Sequence, residues 1–222
     1  MPLYKTITLK NNTKVLIWKI EESLEELLKD IALTDHCKSR IGTMKSEIHQ
    51  RGFLSVRQLL KIAGYEVCDL YYDDYGKPHL KDGKHISITH SFIFAAIIIS
   101  SDIEVGIDIE KQREKISIIA HKFIDYEYNY LTDSDVRKLT VVWCVKESLY
   151  KVFATHGMSF LQHTKVIPFE LDELKTVGWI HYGSEVQKYD IDFLEFEGFT
   201  CAYALKVKNS EQCSVSSIQK EL

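Results

Sequence analysis

The residues best suited to chemistry are carboxylates. In Val105-Gly106-Ile107-Asp108-Ile109-Glu110, apolar and acidic residues alternate. On a strand, side chains at i and i+2 share a face, so Asp108 and Glu110 point one way while Ile107 and Ile109 bury the other. Two carboxylates that close repel each other. A cation between them removes the repulsion, and hard oxygen ligands suit magnesium or manganese. Taken alone, such a pair is more often the solvated edge of an amphipathic strand. A second constellation is Trp143-Cys144-Val145-Lys146-Glu147-Ser148-Leu149-Tyr150-Lys151. Glu147 and Lys151 are one helical turn apart, ordinarily a surface pair. The flanking Val141, Val142, Val145, Leu149, Val152 and Phe153 leave little room for a solvated face, and charges on a mostly buried helix need partners. A metal shared with Asp108 and Glu110, and a phosphate for the lysine, would supply them. Two further segments are weaker. Ser87-Ile88-Thr89-His90-Ser91 offers hydroxyls and an imidazole to phosphate oxygens, although a lone turn histidine is more often structural. Gly76-Lys77-Pro78 is a turn that carries a lysine.

These groups need elements to position them. Residues 6–10 and 15–20 flank Asn11-Asn12 and predict a hairpin. Leu24, Leu27, Leu28 and Ile31 make one helical stripe. A second helix is expected over 41–63, with Met44, Ile48, Leu59 and Ile62 on one face and Gly64 ending it. Its Lys45, His49, Arg51 and Arg57 form either a solvated face or an anion-facing one. Residues 92–100 and 104–110 predict a pair of strands joined as a hairpin. A short helix follows near 117–123, then a long one over 133–154, capped by Thr132 with Asp135 three residues on. Strands are expected at 166–169, 178–182, 191–196 and 200–207. Strands and long helices without regular alternation favour an α+β fold.

Composition narrows the classes. A 222-residue chain that is 45% hydrophobic and 27% charged can bury a core without disulfides. A net charge of -4 gives no global cationic footprint, so neither nucleic acid nor a membrane surface is the expected partner, and any anion site must be local. The longest apolar run, 92–99, is far short of the roughly 20 residues of a membrane helix. The opening residues 1–6 lack a secretory pattern, so a cytoplasmic location is expected. Five cysteines, Cys37, Cys68, Cys144, Cys201 and Cys213, contain no C-x-x-C pair and read as reduced.

In order and spacing, the four blocks resemble the 4'-phosphopantetheinyl transferases, specifically their longer, monomeric, surfactin-synthetase-activating class. There a G-K-P turn, an S-x-S-H-S stretch, a G-[IV]-D-[IV]-E strand and a W-x-x-K-E-[AS]-x-x-K helix recur, with an intervening Phe-x-x-x-Glu matched by Phe123 and Glu127. Thr89 replaces the usual serine and keeps the hydroxyl. The resemblance implies a pseudo-twofold pair of α+β lobes, 1–103 and 104–208, with a polar tail at 209–222 and the active site between the lobes. It implies coenzyme A as donor and a serine of an apo acyl or peptidyl carrier protein as acceptor, in fatty-acid, polyketide or nonribosomal peptide synthesis.

By the same resemblance, magnesium is held by Asp108, Glu110 and Glu147, and Glu147, Lys151 and Asp108 form the catalytic group. Glu147 is the first choice of base, with Glu127 or a metal-bound water left open. Lys77, Pro78, Thr89, His90, Lys146 and Lys151 meet the donor, and Arg51 and Arg57 its 3'-phosphate, a role Lys38, Arg40 or His49 could share. A basic rim near Lys122, Arg137 or Lys138 is a candidate for an acidic carrier helix, although ordinary solvated charge is the plainer reading. Two alternatives remain: a magnesium-dependent phosphohydrolase, and an inactive homologue that binds carrier protein.

Overall fold

The computed structural model describes residues 3–29 and 31–207. Asn11 and Asn12 adopt left-handed backbone, φ 59° and 48°, which turns β1 (Leu3–Leu9) back onto β2 (Thr13–Lys19). Three helices follow: α1 (Leu24–Leu28), α2 (Asp35–Thr43) and α3 (Glu47–Ile62). A small ribbon, β3 (Leu70–Tyr72) with β4 (Pro78–Leu80), precedes the hairpin β5 (His85–Ser91) and β6 (Phe94–Ser100). The first sheet has the order β1-β2-β6-β5, antiparallel throughout.

The chain then crosses to a second sheet. It comprises β7 (Val105–Lys111), β8 (Thr164–Val166), β9 (Lys175–Tyr182), β10 (Glu185–Phe196) and β11 (Phe199–Lys206), in the order β7-β11-β10-β9-β8. Between β7 and β8 lie α4 (Lys115–Ile119), α5 (Val136–Phe153) and α6 (Phe160–His163). The result is a mixed α+β architecture with six helices and three sheets among the described residues.

Burial explains the layering. Every residue of β6 is buried because both of its faces are covered. Ala95, Ile97 and Ile99 share a core with Phe53, Leu54, Val56, Leu59 and Leu60 of α3. Phe94, Ala96 and Ile98 instead meet Ile107, Ile109, Cys201 and Tyr203 of the second sheet. On the far side, Leu139, Val142, Val145 and Leu149 of α5 pack with Ile180, Ile191, Ala202 and Ala204. Connectivity repeats as well. The series β2, α3, β5, β6 builds the order β2-β6-β5, and β7, α5, β10, β11 builds β7-β11-β10.

Several sequence expectations change. The helix expected over 41–63 is two, because the backbone is extended at Met44 and Ser46, and the Gln50 side chain donates to the Met44 carbonyl that α2 leaves free. Ile31 lies beyond α1. The expected 92–100/104–110 hairpin does not form, since β6 pairs with β2 and β5 while β7 pairs with β11. The long helix starts at Val136 rather than 133. The proposed tail at 209–222 and Cys213 lie outside the described residues.

Candidate active site

The two sheets meet where the edge of β5 faces the edge of β7, and side chains replace the missing ladder. Ser87 Oγ accepts from the Ile107 N–H at 3.1 Å, and Thr89 Oγ1 accepts from the Ile109 N–H at 3.3 Å. Thr89 donates to Asp108 Oδ1 at 3.0 Å and Ser91 to Glu110 Oε2 at 3.1 Å. The alternation of hydroxyls with larger residues therefore serves the seam, and the hydroxyls expected to meet phosphate are spent on the carboxylates and backbone of β7.

Onto this seam α5 brings its lysine. Gly106 permits the approach, because a Cβ there would lie 2.0 Å from the Ser148 carbonyl oxygen. Three residues later, Lys151 Nζ donates to Asp108 Oδ1 at 2.7 Å and to the Ile107 carbonyl at 3.0 Å. Asp108 Oδ2 is buried and has no hydrogen-bond partner. Burial, then the charge of Asp108, raises the Glu147 carboxyl to about 7, with Glu110 adding to the rise and Lys151 opposing it. Burial and Asp108 likewise raise Glu110, against the Ser91 hydrogen bond.

Among the described residues, no three His, Cys, Asp or Glu side chains stand as a formed metal cluster. The donor set nevertheless fits a hard divalent cation. It combines an orphaned buried carboxylate oxygen with two further carboxylates, Glu147 and Glu110, each raised by burial and by the charge of Asp108.

Asp108 and Lys151 form one wall of a cleft of about 430 Å³. The opposite wall comes from the first sheet, its helices and the β3–β4 ribbon: Arg40, Phe53, Arg57, Tyr72, Lys77, Pro78 and His90. Arg57 is buried over the Phe53 ring, its guanidinium carbon 3.4 Å from the centroid, and donates to the Phe53 carbonyl. Arg40 lies over Tyr72 at 5.6 Å. Lys77 Nζ reaches across to the Val152 carbonyl at 2.8 Å, near the carbonyl end of α5 where a cation is favoured. His90 opens into the cleft. Enclosure, then the positive charges of His49, Lys151, Arg57 and Arg40, hold its imidazole below the ordinary value.

Several expected site residues sit elsewhere: Glu110 lines a separate cavity with Arg113 and Trp143, and Glu147 is not among the residues lining the cleft. Lys146 is sealed from the cleft: Nζ lies 2.9 Å from Glu127 Oε1, both side chains fully buried, and donates to the carbonyls of Phe123, Phe160 and Thr164. Burial lowers its pKa, opposed by Glu127. Glu127 also accepts from the Val166 N–H, so it is a structural carboxylate and not an accessible base. Arg51 donates to the Ile20 carbonyl and is absent from the cleft lining. Of the alternates, Arg40 lines the cleft, while Lys38 pairs with exposed Asp35. The rim residues Arg137 and Lys138 pair with Glu195 and Glu170. Sequence reasoning missed Tyr72, Tyr75, Tyr150 and His156, which also line the cleft. The Tyr-rich turn before Gly76 is the visible signal for Tyr72 and Tyr75, and Tyr150 and His156 have none.

Residues 104–204 match the model of the 4'-phosphopantetheinyl transferase superfamily. That segment holds Asp108, Glu110, Glu147 and Lys151, while the cationic wall lies outside it. The superfamily uses coenzyme A as donor, generally with a metal, and acts on carrier proteins. A search of curated proteins finds no match to the chain. No helix among the described residues is long and apolar enough to cross a membrane.

Proposed function

We propose that this protein transfers the 4'-phosphopantetheine arm of coenzyme A to a serine of an apo acyl or peptidyl carrier protein, releasing adenosine 3',5'-bisphosphate. It acts as a magnesium-dependent monomer of the longer class, with two lobes related by a pseudo-twofold axis and a cytoplasmic location. The repeated strand-helix-hairpin connectivity supports the lobes, and the unpaired Cys37, Cys68, Cys144 and Cys201 suit a reducing compartment. One observation carries the reading: the Asp108–Lys151 pair of the matched segment faces Arg40, Arg57, Lys77 and His90 across one cleft. An anionic, elongated donor is what such a cleft complements.

In this reading Arg40 and Arg57 take the 3'-phosphate, and Lys77, His90 and Lys151 take the pyrophosphate. Asp108, Glu110 and Glu147 would hold magnesium, which supplies neutralisation of charge on the pyrophosphate oxygens. Lys151 adds fixed positive charge where the leaving phosphate gains negative charge. A Glu147 carboxylate oxygen accepts the proton of the acceptor serine as its oxygen attacks phosphorus. Incubation with coenzyme A, magnesium and an apo carrier protein tests the reading. A carrier mass gain of one phosphopantetheine supports it; phosphate release without carrier labelling would replace it with a phosphohydrolase.

A further inference from the structure

A glycine inside a helix needs a reason, since apart from proline no residue is less favourable there. Gly52 is buried in the first half of α3. A Cβ on it would meet His90 Nδ1 at 2.9 Å and Cγ at 3.0 Å, against 3.4–4 Å for ordinary contact. The His90 ring therefore lies directly on the helix backbone. His49, one turn earlier on the same face, has its ring 6.4 Å from that of His90, and Phe53 and Val56 continue that surface into the cleft. Nothing in the helix's own geometry calls for the glycine, because its backbone is ordinary helix and only the six other glycines named with positive φ need that freedom.

We infer that Gly52 is a positioning residue: its missing side chain is the seat that holds His90 at the depth from which it meets the anionic donor. This rests on the proposed coenzyme A site. Any side chain at 52 lifts the ring off α3 and into the space the donor occupies. His90 reaches the cleft from β5, whose other face is tied to β7 by Ser87, Thr89 and Ser91, so the strand cannot retreat to absorb the change.

The test is a double-mutant cycle of Gly52→Ala and His90→Ala, read by coenzyme A titration calorimetry, by carrier labelling kinetics and by thermal unfolding. Helix propensity alone predicts that Gly52→Ala is neutral or stabilising, with unchanged donor affinity. Positioning predicts a donor KM and Kd raised roughly tenfold, about 1.4 kcal/mol, with kcat and carrier KM retained. It also predicts that the double variant binds no worse than His90→Ala alone. Wild-type donor affinity in Gly52→Ala, or losses that multiply in the double variant, overturn the inference. If Gly52→Ala instead unfolds, recovery of folding by adding His90→Ala supports it, and failure to recover overturns it. A wild-type protein that neither binds coenzyme A nor labels carrier fails the proposed function instead, which separates the two.

Discussion

Helix α5 carries two lysine–carboxylate pairs of the same chemistry in opposite surroundings. Lys146 and Glu127 are both fully buried, 2.9 Å apart, and the ammonium also meets three backbone carbonyls. Lys151 and Asp108 are 2.7 Å apart, but the lysine side chain is 27% exposed to the cleft, and one Asp108 oxygen has no partner. The first pair is complete, so it ties the segment after Phe123 and the start of β8 to the helix and has nothing left to offer a ligand. The second is incomplete, and both of its residues line the cleft. What separates structure from chemistry on this helix is therefore satisfaction and exposure, not residue type.

If that contrast holds, variants at the open site change rate and those at the sealed site change stability. The largest effect expected is at the open site. Glu147→Gln should cut transfer by roughly 10²–10⁴-fold, the usual contribution of a general base, with coenzyme A binding and folding preserved. Labelling kinetics beside a binding titration decide it, and wild-type turnover would remove Glu147 from the mechanism. At the sealed site, Lys146→Met leaves Glu127 charged and buried. A loss of about 3–5 kcal/mol of stability is expected, mostly restored by adding Glu127→Leu. Denaturant titration of the single and double variants measures it; a single variant as stable as wild type would mean the pair is not sealed.

That same contrast marks how far the sequence could be read. Asp108 with Glu110, and Glu147 with Lys151, were legible because periods of 2 and 3.6 place such neighbours on one face. Lys146 was not, because adjacent helical residues point about 100° apart and a local pattern does not say which direction is the cleft. Arg51 and Arg40 were exchanged for a different reason. Arg51 and Arg57 share α3 but, six residues apart, point about 240° apart around it, while the break at 44–46 lets α2 turn back and set Arg40 against Tyr72. The hydroxyls of β5 were read as donors to phosphate oxygens, and the structure instead ties them to β7. That their partner is the edge of another strand is a tertiary fact, as is the separation of β6 from β7 into different sheets. Adjacency in sequence predicts a hairpin, and only the burial of both faces of β6 overrules it.

A smaller effect should come from Gly106, which sets how closely α5 lies on β7 between the two pairs. An alanine there meets the Ser148 carbonyl oxygen, a backbone atom that moves only if the helix does. A cost of roughly 1–3 kcal/mol is expected, as for other overpacking changes, measured by thermal or denaturant unfolding. Lys151, which reaches Asp108 from the next turn, should lose position before Lys146, which is held by four partners. Transfer by the folded fraction should then fall as well; unchanged activity and stability would mean that α5 has slack at this contact.

The smallest effect expected is in proton linkage, and it separates the pairs by their response to a ligand. His90 lies with the open pair, facing Lys151, Arg57, Arg40 and His49, and enclosure and these charges depress its pKa. In the free protein, acidification therefore protonates the unfolded chain's imidazole first. The stability His90 contributes is complete above the unfolded value of about 6.5 and is lost as pH falls through the folded one. An anionic donor reverses the local field, so its binding should take up protons near that pH and weaken as pH rises. No such linkage is expected from Lys146–Glu127, which the donor does not meet. Unfolding of wild type and His90→Gln from about pH 8 to about pH 5, with donor titrations in buffers of different ionisation enthalpy, measures both terms. Parallel stability profiles, or proton uptake that persists in His90→Gln, would show that the cleft's charges do not act through this imidazole.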